Sequence, residues 1–227
     1  KYGVEVPKSV EDALAVDAAT GTDFWRKAID KEMANNQVAF EFLDDDAPVP
    51  IGYSRMRGHM IFDIKLDLTR KARWVAGGSQ SEMPRESTYS SVVSRDSVRI
   101  FFTLAALNDV EVLACDVQNA YLNAPTNEKN YIIAGKEFGP DAGRRALIVR
   151  ALYGMATSGA RYRAHCAQVL RDMRFAPCEA DQDVWMRPAI KGDGTKYYEY
   201  VLCYVDDILV QSTNSALWTS FSQCGTC

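Results

Sequence analysis

The hydrophobic and polar positions of this chain follow two periods, one typical of helices and the other typical of strands. A capping pattern of Ser9 followed by Asp12 predicts a helix over residues 10–19, and the helical period predicts helices over residues 23–35, 94–107 and 158–174. Alternation and short apolar runs predict strands over residues 38–43, 62–68, 71–76, 112–117, 131–134, 146–149, 196–203 and 207–211. Because the strands come as hairpins interspersed with helices, the pattern predicts an α+β fold rather than a doubly wound parallel sheet.

The first predicted hairpin, over residues 60–77, has a basic return strand. Its outgoing strand, 62–68, alternates apolar and polar residues, as a half-buried strand does. Lys71 and Arg73 occupy alternate positions of the return strand, so their side chains point to one face. That face is either an anion-binding surface or a plain solvated one, and the residues alone leave both open.

Three aspartates lie in apolar strands, where carboxylates are costly. Asp116 ends the run VLACD, and the neighbours Asp206 and Asp207 interrupt the run VLCYVDDILV. Burying two like charges side by side is unfavourable unless a cation compensates for them. Mg²⁺ binds a few carboxylate oxygens at rigid positions, so the three aspartates predict a metal site. A hairpin turn that happens to use aspartates accounts for Asp207 but not for Asp206, which directly follows apolar residues.

Charge is spread unevenly along the 227 residues, although the net charge is only −4. Residues 1–50 carry eleven acidic and five basic residues, whereas residues 144–174 carry seven arginines and one aspartate. The basic stretch 144–174 and the basic hairpin fit a polyanion-binding face, and they fit ordinary solvated surfaces equally well. The six cysteines show no framework spacing, and no signal peptide or long apolar run is visible. We therefore expect an intracellular protein with no membrane partner.

Six segments, taken in order, form a more specific pattern. They read RKARWVAGGSQ, TYSSVVSRDSVRIFFTLAAL, ACDVQNAYLNAP, ALYGMATSGARYRAH, ADQDVWMRP and YVDDILV. Their order and content resemble the reverse transcriptases of copia-type LTR retrotransposons over nearly the whole chain. The chain is accordingly expected to be a fragment of a Pol polyprotein.

The resemblance implies a right-hand polymerase fold with fingers and palm, in which helices back an antiparallel palm sheet. It divides the chain into an N-terminal helical segment (1–36), fingers with the basic hairpin (37–88), a first palm part (89–124), a fingers insertion (125–152), a second palm part with YVDD (153–212) and a divergent tail (213–227). Because the tail does not follow the family pattern, thumb and RNase H domains are expected to be absent from this chain.

The resemblance also implies roles for individual residues. The catalytic aspartates are Asp116, Asp206 and Asp207, which together with the Val117 carbonyl would bind two Mg²⁺ ions, Mn²⁺ being the alternative. The nucleotide-binding residues are Lys71, Arg73 and Tyr121, the last as a bulky wall against a ribose 2′-hydroxyl. The primer and template residues are Tyr204, Tyr153, Gly154 and Arg161. Without the resemblance, an ordinary core tyrosine remains the alternative for Tyr121.

The function implied is RNA-directed DNA polymerisation, the addition of dNTPs to a primer 3′ end on an RNA or DNA template. Other Pol or Gag segments would be partners, and the family analogy places the protein in cytoplasmic virus-like particles. The alternative is a truncated, inactive remnant that keeps the fold and weak nucleic-acid binding. The chain departs from the family pattern at Gly77, Ala156 and Thr157, where the family commonly has Lys, Lys and Gln. A nucleotidyl cyclase-like palm would leave the basic hairpin unexplained.

Overall fold

A computed structural model describes residues 1–77 and 88–213. The chain divides into two compact units. Unit 1 comprises Lys1–Thr88 and Tyr121–Arg161, and unit 2 comprises Tyr89–Ala120 and the residues from Tyr162 onward. Both helices and sheets are present, which confirms the predicted mixed class. The division into fingers and palm stays a prediction.

The helices and strands of the described residues have the following bounds. The helices are α1 (Val10–Thr20), α2 (Phe24–Asn36), α3 (Arg95–Leu107) and α4 (Ser158–Asp172). The strands are β1 (Phe40–Phe42), β2 (Ser54–Arg55), β3 (Gly58–Ile64), β4 (Arg70–Ala76), β5 (Val112–Asp116), β6 (Asn130–Ile133), β7 (Arg145–Ile148), β8 (Ala176–Pro177), β9 (Val184–Ile190), β10 (Lys196–Tyr204) and β11 (Asp207–Gln211). No helix among them is long and apolar enough to cross a membrane.

Unit 1 contains a four-stranded sheet in the order β1-β7-β6-β2 and the separate antiparallel hairpin β3–β4. Its core joins the sheet, the hairpin and the first two helices through large buried side chains, among them Trp25, Ile64, Trp74, Ile132 and Ile148. The ring of Trp25 packs edge-on against Phe62, with 5.6 Å between their centroids. The apolar face of the predicted hairpin is therefore a core face.

The β3–β4 hairpin turns earlier than the alternation predicted, because β3 ends at Ile64 and not at residue 68. The Asp67 carboxylate accepts the backbone N–H of Thr69 at 3.0 Å, which is a side-chain turn contact. Leu68 has a φ of 64°, and Leu66 is 85% exposed. Leu66 and Leu68 continue the apolar alternation of the sequence, but they lie in the turn and are exposed.

Buried Asp17 of α1, rather than Thr22 close to the start of the helix, caps the start of α2. Its carboxylate accepts the backbone N–H of Trp25 at 3.2 Å and that of Arg26 at 2.9 Å. Thr22 instead donates its hydroxyl to Asp17 at 3.1 Å. The sequence could not show this cap, because the capping side chain comes from the preceding helix.

Unit 2 is built on one five-stranded antiparallel sheet, in the order β5-β11-β10-β9-β8. One face packs against Leu170 of α4, and the other packs against Phe101 of α3. The alternation along β10 sends Val201 to the α4 side and Leu202 to the α3 side. Strands β8 and β9 were missed from the sequence because prolines interrupt both of them. Phe102 of α3, next to the buried Phe101, is 49% exposed.

An ion pair with a buried carboxylate lies within this sheet. Glu199 of β10 is 2% exposed and accepts the Nε–H of Arg187 from β9 at 2.5 Å. The same guanidinium donates to the Met173 carbonyl at 2.7 Å and stacks over the Phe175 ring at 4.5 Å. Arg187 thereby ties the sheet to the segment that follows α4.

Replacing Arg187 tests this tie. We expect Arg187→Ala to lower the free energy of unfolding by about 3–5 kcal/mol, because Glu199 would be left as an uncompensated buried charge. Lys196→Ala, at an exposed position at the start of β10, is the matched control and should change it by less than about 0.5 kcal/mol. Urea unfolding followed by circular dichroism measures both, and equal losses in the two variants would contradict the prediction.

Candidate active site

The segment YVDD forms a tight turn between two strands. Tyr204 at the end of β10 pairs with Asp207 at the start of β11, so the loop consists of Val205 and Asp206 alone. Val205 has a φ of 56°, which is strained for a β-branched residue. Two-residue hairpins favour a positive φ and normally use glycine or asparagine for it. The turn therefore holds a strained backbone of the kind that clusters at functional sites.

Asp116 and Asp207 lie directly opposite each other on β5 and β11. The backbone N–H of Val117 donates to the Asp206 carbonyl at 2.8 Å, which makes 117 and 206 a hydrogen-bonded position. The next position, Asp116 and Asp207, is accordingly a non-hydrogen-bonded pair, the arrangement that brings side chains closest. Side chains so paired share one face with Cβ atoms about 4.5–5.5 Å apart, and like charges there repel.

The surroundings of this pair are open. Asp116 and Asp207 are exposed and Asp206 is half-buried, while Tyr204 is 53% exposed. Asp116, Asp207 and Tyr204 line one cavity of about 400 Å³. The rest of its lining is mostly apolar and comes from the sheet, α3 and the segment before α3: Val93, Val98, Ala114, Cys115, Leu202, Ile208 and Leu209.

The structure places Asp116 and Asp207, two of the three predicted catalytic aspartates, at opposite positions of neighbouring strands. Asp206, the third, lies in the adjoining turn. Within residues 1–77 and 88–213, no group of three or more acidic, histidine or cysteine side chains converges as a metal-ligand cluster. Asp116 and Asp207 are thus the strongest candidate ligands. Metal binding by them, by Asp206 and by the Val117 carbonyl stays a prediction.

A polar cluster supports β10 just before the turn, and sequence reasoning missed it. Asp183 is 3% exposed and accepts hydrogen bonds from Arg163, at 2.7 Å, and from the Ser91 hydroxyl. Its backbone carbonyl accepts the N–H of Cys203, one residue before Tyr204, at 3.0 Å. The signal in the sequence was an aspartate close to a basic helix, which many surface pairs also show.

Two thiols meet beside this cluster. The sulfur atoms of Cys166 and Cys203 are 3.9 Å apart. The contact with Cys203 lowers the pKa of Cys166, while the same contact and burial raise the pKa of Cys203 well above its ordinary value. Burial alone raises the pKa of Cys115. All three are free thiols, and Cys115 and Cys203 pack against the α4 side of the sheet.

In unit 1, three predicted site residues form a stack. The Arg73 guanidinium lies 5.2 Å from the centroid of the Tyr153 ring, and that ring lies 4.8 Å from the ring of Tyr121. Arg73 is exposed, whereas both tyrosines are half-buried. Lys71 is half-buried on the same strand, opposite Asp63. We call the first three residues the Arg73–Tyr153–Tyr121 stack.

Gly154 fixes the chain next to this stack. It has a φ of 90°, and a Cβ there would collide with the Ala76 carbonyl. The Ala76 N–H donates to the Tyr153 carbonyl at 2.7 Å, so the backbone at 153–154 lies directly against the end of β4. A glycine is needed at 154 for both the positive φ and the close approach.

The Arg161 side chain forms hydrogen bonds within unit 1. Its guanidinium donates to the Pro125 carbonyl at 3.0 Å and to the Asn127 side chain at 3.1 Å. A contact of Arg161 with template or primer stays a prediction. Thr157, one of the departures from the family pattern, is 1% exposed and donates its hydroxyl to Glu128 at 2.6 Å.

A known protein family matches most of the chain. The family described as reverse transcriptase (RNA-dependent DNA polymerase) matches residues 48–224 of the chain. That range includes all the residues predicted to take part in catalysis, in nucleotide binding and in primer or template contact.

Three plant relatives are similar to most of the chain. Its identity is 25% over 226 residues to the retrovirus-related Pol polyprotein from transposon RE2 of Arabidopsis thaliana, covering 95% of this chain and 15% of that protein. The polyprotein from transposon RE1 of the same plant is also 25% identical, over 96% of this chain and 15% of its own length. The polyprotein from transposon TNT 1-94 of Nicotiana tabacum is 25% identical over 74% of this chain and 13% of its own length.

The chain therefore spans 13–15% of the length of these relatives. The resemblance to copia-type retrotransposon enzymes, inferred from six ordered motifs, is confirmed by the family match and by these relatives. The chain belongs to the reverse transcriptase (RNA-dependent DNA polymerase) family.

Proposed function

We propose that the chain supplies the fingers and palm of an RNA-directed DNA polymerase, which adds dNTPs to a primer 3′ end on an RNA or DNA template. Family membership supports the activity. One geometric observation links the activity to specific residues. Asp116 and Asp207 form a close cross-strand pair of carboxylates, with Asp206 in the adjoining turn. Such a pair is destabilising by itself, so its presence favours a role that uses both charges.

The donor set at this pair fits Mg²⁺. Mg²⁺ binds through one or two carboxylates and keeps several waters or substrate phosphates, and the pair offers two exposed carboxylates. Asp116 and Asp207 would hold the ions, helped by Asp206 and the Val117 carbonyl, with Mn²⁺ as the alternative. When bound, two such ions activate the attacking oxygen and stabilise the leaving oxygen of an in-line displacement.

The residues of this chain would supply binding and orientation. In unit 1, the exposed cation of Arg73, with Lys71, would hold the triphosphate, and Tyr121 would form the wall beside the sugar. In unit 2, Tyr204 beside Asp207 would support the primer end. Tyr153, Gly154 and Arg161 would lie along the template. Such positioning lowers the barrier because the reacting atoms need not be brought together from solution.

The partners follow from this role. They are an RNA or DNA template with its primer, dNTPs and other segments of Pol or Gag. The polyprotein names of the relatives support the last of these. We place the enzyme in cytoplasmic virus-like particles by analogy with the family.

A second candidate is an inactive remnant that retains the fold and binds nucleic acid weakly. One observation favours it, namely that in the described part of the chain no three carboxylates converge as a metal-ligand cluster. The two candidates differ in one property, the dependence of DNA synthesis on the aspartate pair.

Primer extension separates the two candidates. We expect the chain to extend a DNA primer on an RNA template with Mg²⁺ or Mn²⁺. Asp116→Asn and Asp207→Asn should each reduce the rate by about 10²-fold or more, because each removes a charge that the metals require. Incorporation of a labelled dNTP measures the rate.

The matched control is Asp193→Asn, which changes an exposed aspartate in the turn between β9 and β10 of the same sheet. It should extend the primer like the unchanged chain. No extension by the folded chain, or equal extension by the chain and both aspartate variants, would support the remnant instead.

Sugar selection is a separate prediction. Tyr121→Ala should raise ribonucleotide incorporation relative to deoxynucleotide incorporation by about tenfold or more, because the wall against the 2′-hydroxyl is removed. Tyr121→Phe keeps the ring and should keep the selectivity. Competing single-nucleotide incorporation of dGTP and GTP measures the ratio, and an unchanged ratio in Tyr121→Ala would remove Tyr121 from this role.

A further inference from the structure

We infer that Cys166 and Cys203 form an oxidation site, at which hydrogen peroxide closes a reversible disulfide bond between α4 and β10. Both thiols lie in unit 2, so the bond forms within one compact unit of the chain. The inference goes beyond the proposed function and is independent of it, because neither thiol is among the residues assigned to metal, nucleotide, primer or template.

The position of the two sulfur atoms carries this inference. They are 3.9 Å apart, which is van der Waals contact, although the two cysteines are 37 positions apart along the chain. A disulfide bond requires about 2.0 Å between its sulfur atoms, so closure needs an approach of about 2 Å that two side chains share. Both cysteines are half-buried, and they line one small cavity together with Asp183 and Trp185. That access suits a small oxidant such as hydrogen peroxide.

A second set of contacts keeps the two thiols adjacent. The backbone N–H of Cys203 donates to the Asp183 carbonyl at 3.0 Å, and the Asp183 carboxylate accepts the Nε–H of Arg163 at 2.7 Å. Arg163 lies three residues before Cys166 on α4, and residues so spaced are neighbours on a helix surface. The ion pair and the thiol contact thus hold the same part of α4 against β10.

The surroundings assign different roles to the two thiols. The contact with Cys203 lowers the pKa of Cys166, although burial opposes this effect. The same contact and burial raise the pKa of Cys203 well above its ordinary value. Because the thiolate is the nucleophile, Cys166 is the thiol that attacks the peroxide, and Cys203 is the thiol that completes the disulfide.

The reaction balances with one molecule of hydrogen peroxide. The Cys166 thiolate attacks a peroxide oxygen, so that an S–O bond forms and the O–O bond breaks, and the leaving hydroxide takes up the proton from Cys166 to become water. The Cys203 sulfur then attacks the sulfur of the Cys166 sulfenic acid. The S–S bond forms, the S–O bond breaks, and the hydroxyl group leaves with the Cys203 proton as a second water. The two thiols together lose two electrons, which the peroxide accepts.

The test is treatment of the reduced, folded 227-residue chain with equimolar hydrogen peroxide. The remaining thiols are alkylated, and digestion with trypsin and then chymotrypsin separates Cys203 from Cys224 and Cys227. We expect mass spectrometry to show a Cys166–Cys203 cross-link that dithiothreitol removes. In urea, the yield of this cross-link should fall by about tenfold or more, because cysteines closer together in the sequence close their loops more readily.

Single substitutions test the two roles. Cys203→Ser keeps a hydroxyl beside Cys166 but removes the second sulfur, so peroxide should leave a sulfenic acid on Cys166 that dimedone traps. Cys166→Ser should give much less dimedone adduct on Cys203, which holds its proton more tightly. The matched control is Cys178→Ser, which changes a half-buried cysteine outside the pair and should form the cross-link like the unchanged chain. Circular dichroism checks that each variant is folded.

The result in the unchanged chain is sufficient by itself if a variant fails to fold. A folded chain that keeps Cys166 and Cys203 as thiols after peroxide treatment overturns the inference, and so does one that bonds either of them mainly to another cysteine. An equal yield of the cross-link in urea also overturns it, because the fold would then have no part in the pairing. More dimedone adduct on Cys203 than on Cys166 overturns the assigned roles.

Discussion

The repulsion between Asp116 and Asp207 is the constraint on which the proposed site depends. The register of β5 against β11 puts these carboxylates opposite each other at a non-hydrogen-bonded position, where side chains approach most closely. Two like charges so placed destabilise the sheet by roughly 0.2–1 kcal/mol. A bound cation would reverse the sign of that contribution. The sheet is thus built at a small cost in stability, which metal binding would offset.

The rest of unit 2 holds this unfavourable arrangement in place. The sheet is packed on both faces, through Leu170 on one side and Phe101 on the other. Asp183 anchors the backbone of β10 just before the turn, and the Glu199–Arg187 pair lies farther along the same strand. This support also sustains the positive φ of Val205, which no hairpin sequence preference would choose. The strained Val205 and the like-charged Asp207 thus lie in the same segment, YVDD.

The elements and the family were readable from the sequence, whereas the contacts that fix the site were not. Sequence patterns located the four helices of the described residues, and α2 and α3 bury apolar side chains such as Trp25 and Phe101. Periodicity missed β9, since Pro188 lies within that strand, and it ran past the turn at Leu68, where apolar residues are exposed. The pairing of Asp116 with Asp207 and the stacking of Arg73 on Tyr153 join residues at least 80 positions apart along the chain. Local patterns carry no information about such register.

The most direct test of the central claim is the effect of Mg²⁺ on the stability of the pair. Chemical unfolding should be measured with and without Mg²⁺ at constant ionic strength, for the unchanged chain, Asp207→Asn and Asp193→Asn. Without Mg²⁺, Asp207→Asn should be the more stable by roughly 0.2–1 kcal/mol, because the repulsion is removed. At a hundredfold excess of Mg²⁺ over its Kd, the unchanged chain and Asp193→Asn should each gain about 2.7 kcal/mol, and Asp207→Asn should gain much less. An equal response of all three proteins to Mg²⁺, or no response in any of them, would contradict the account.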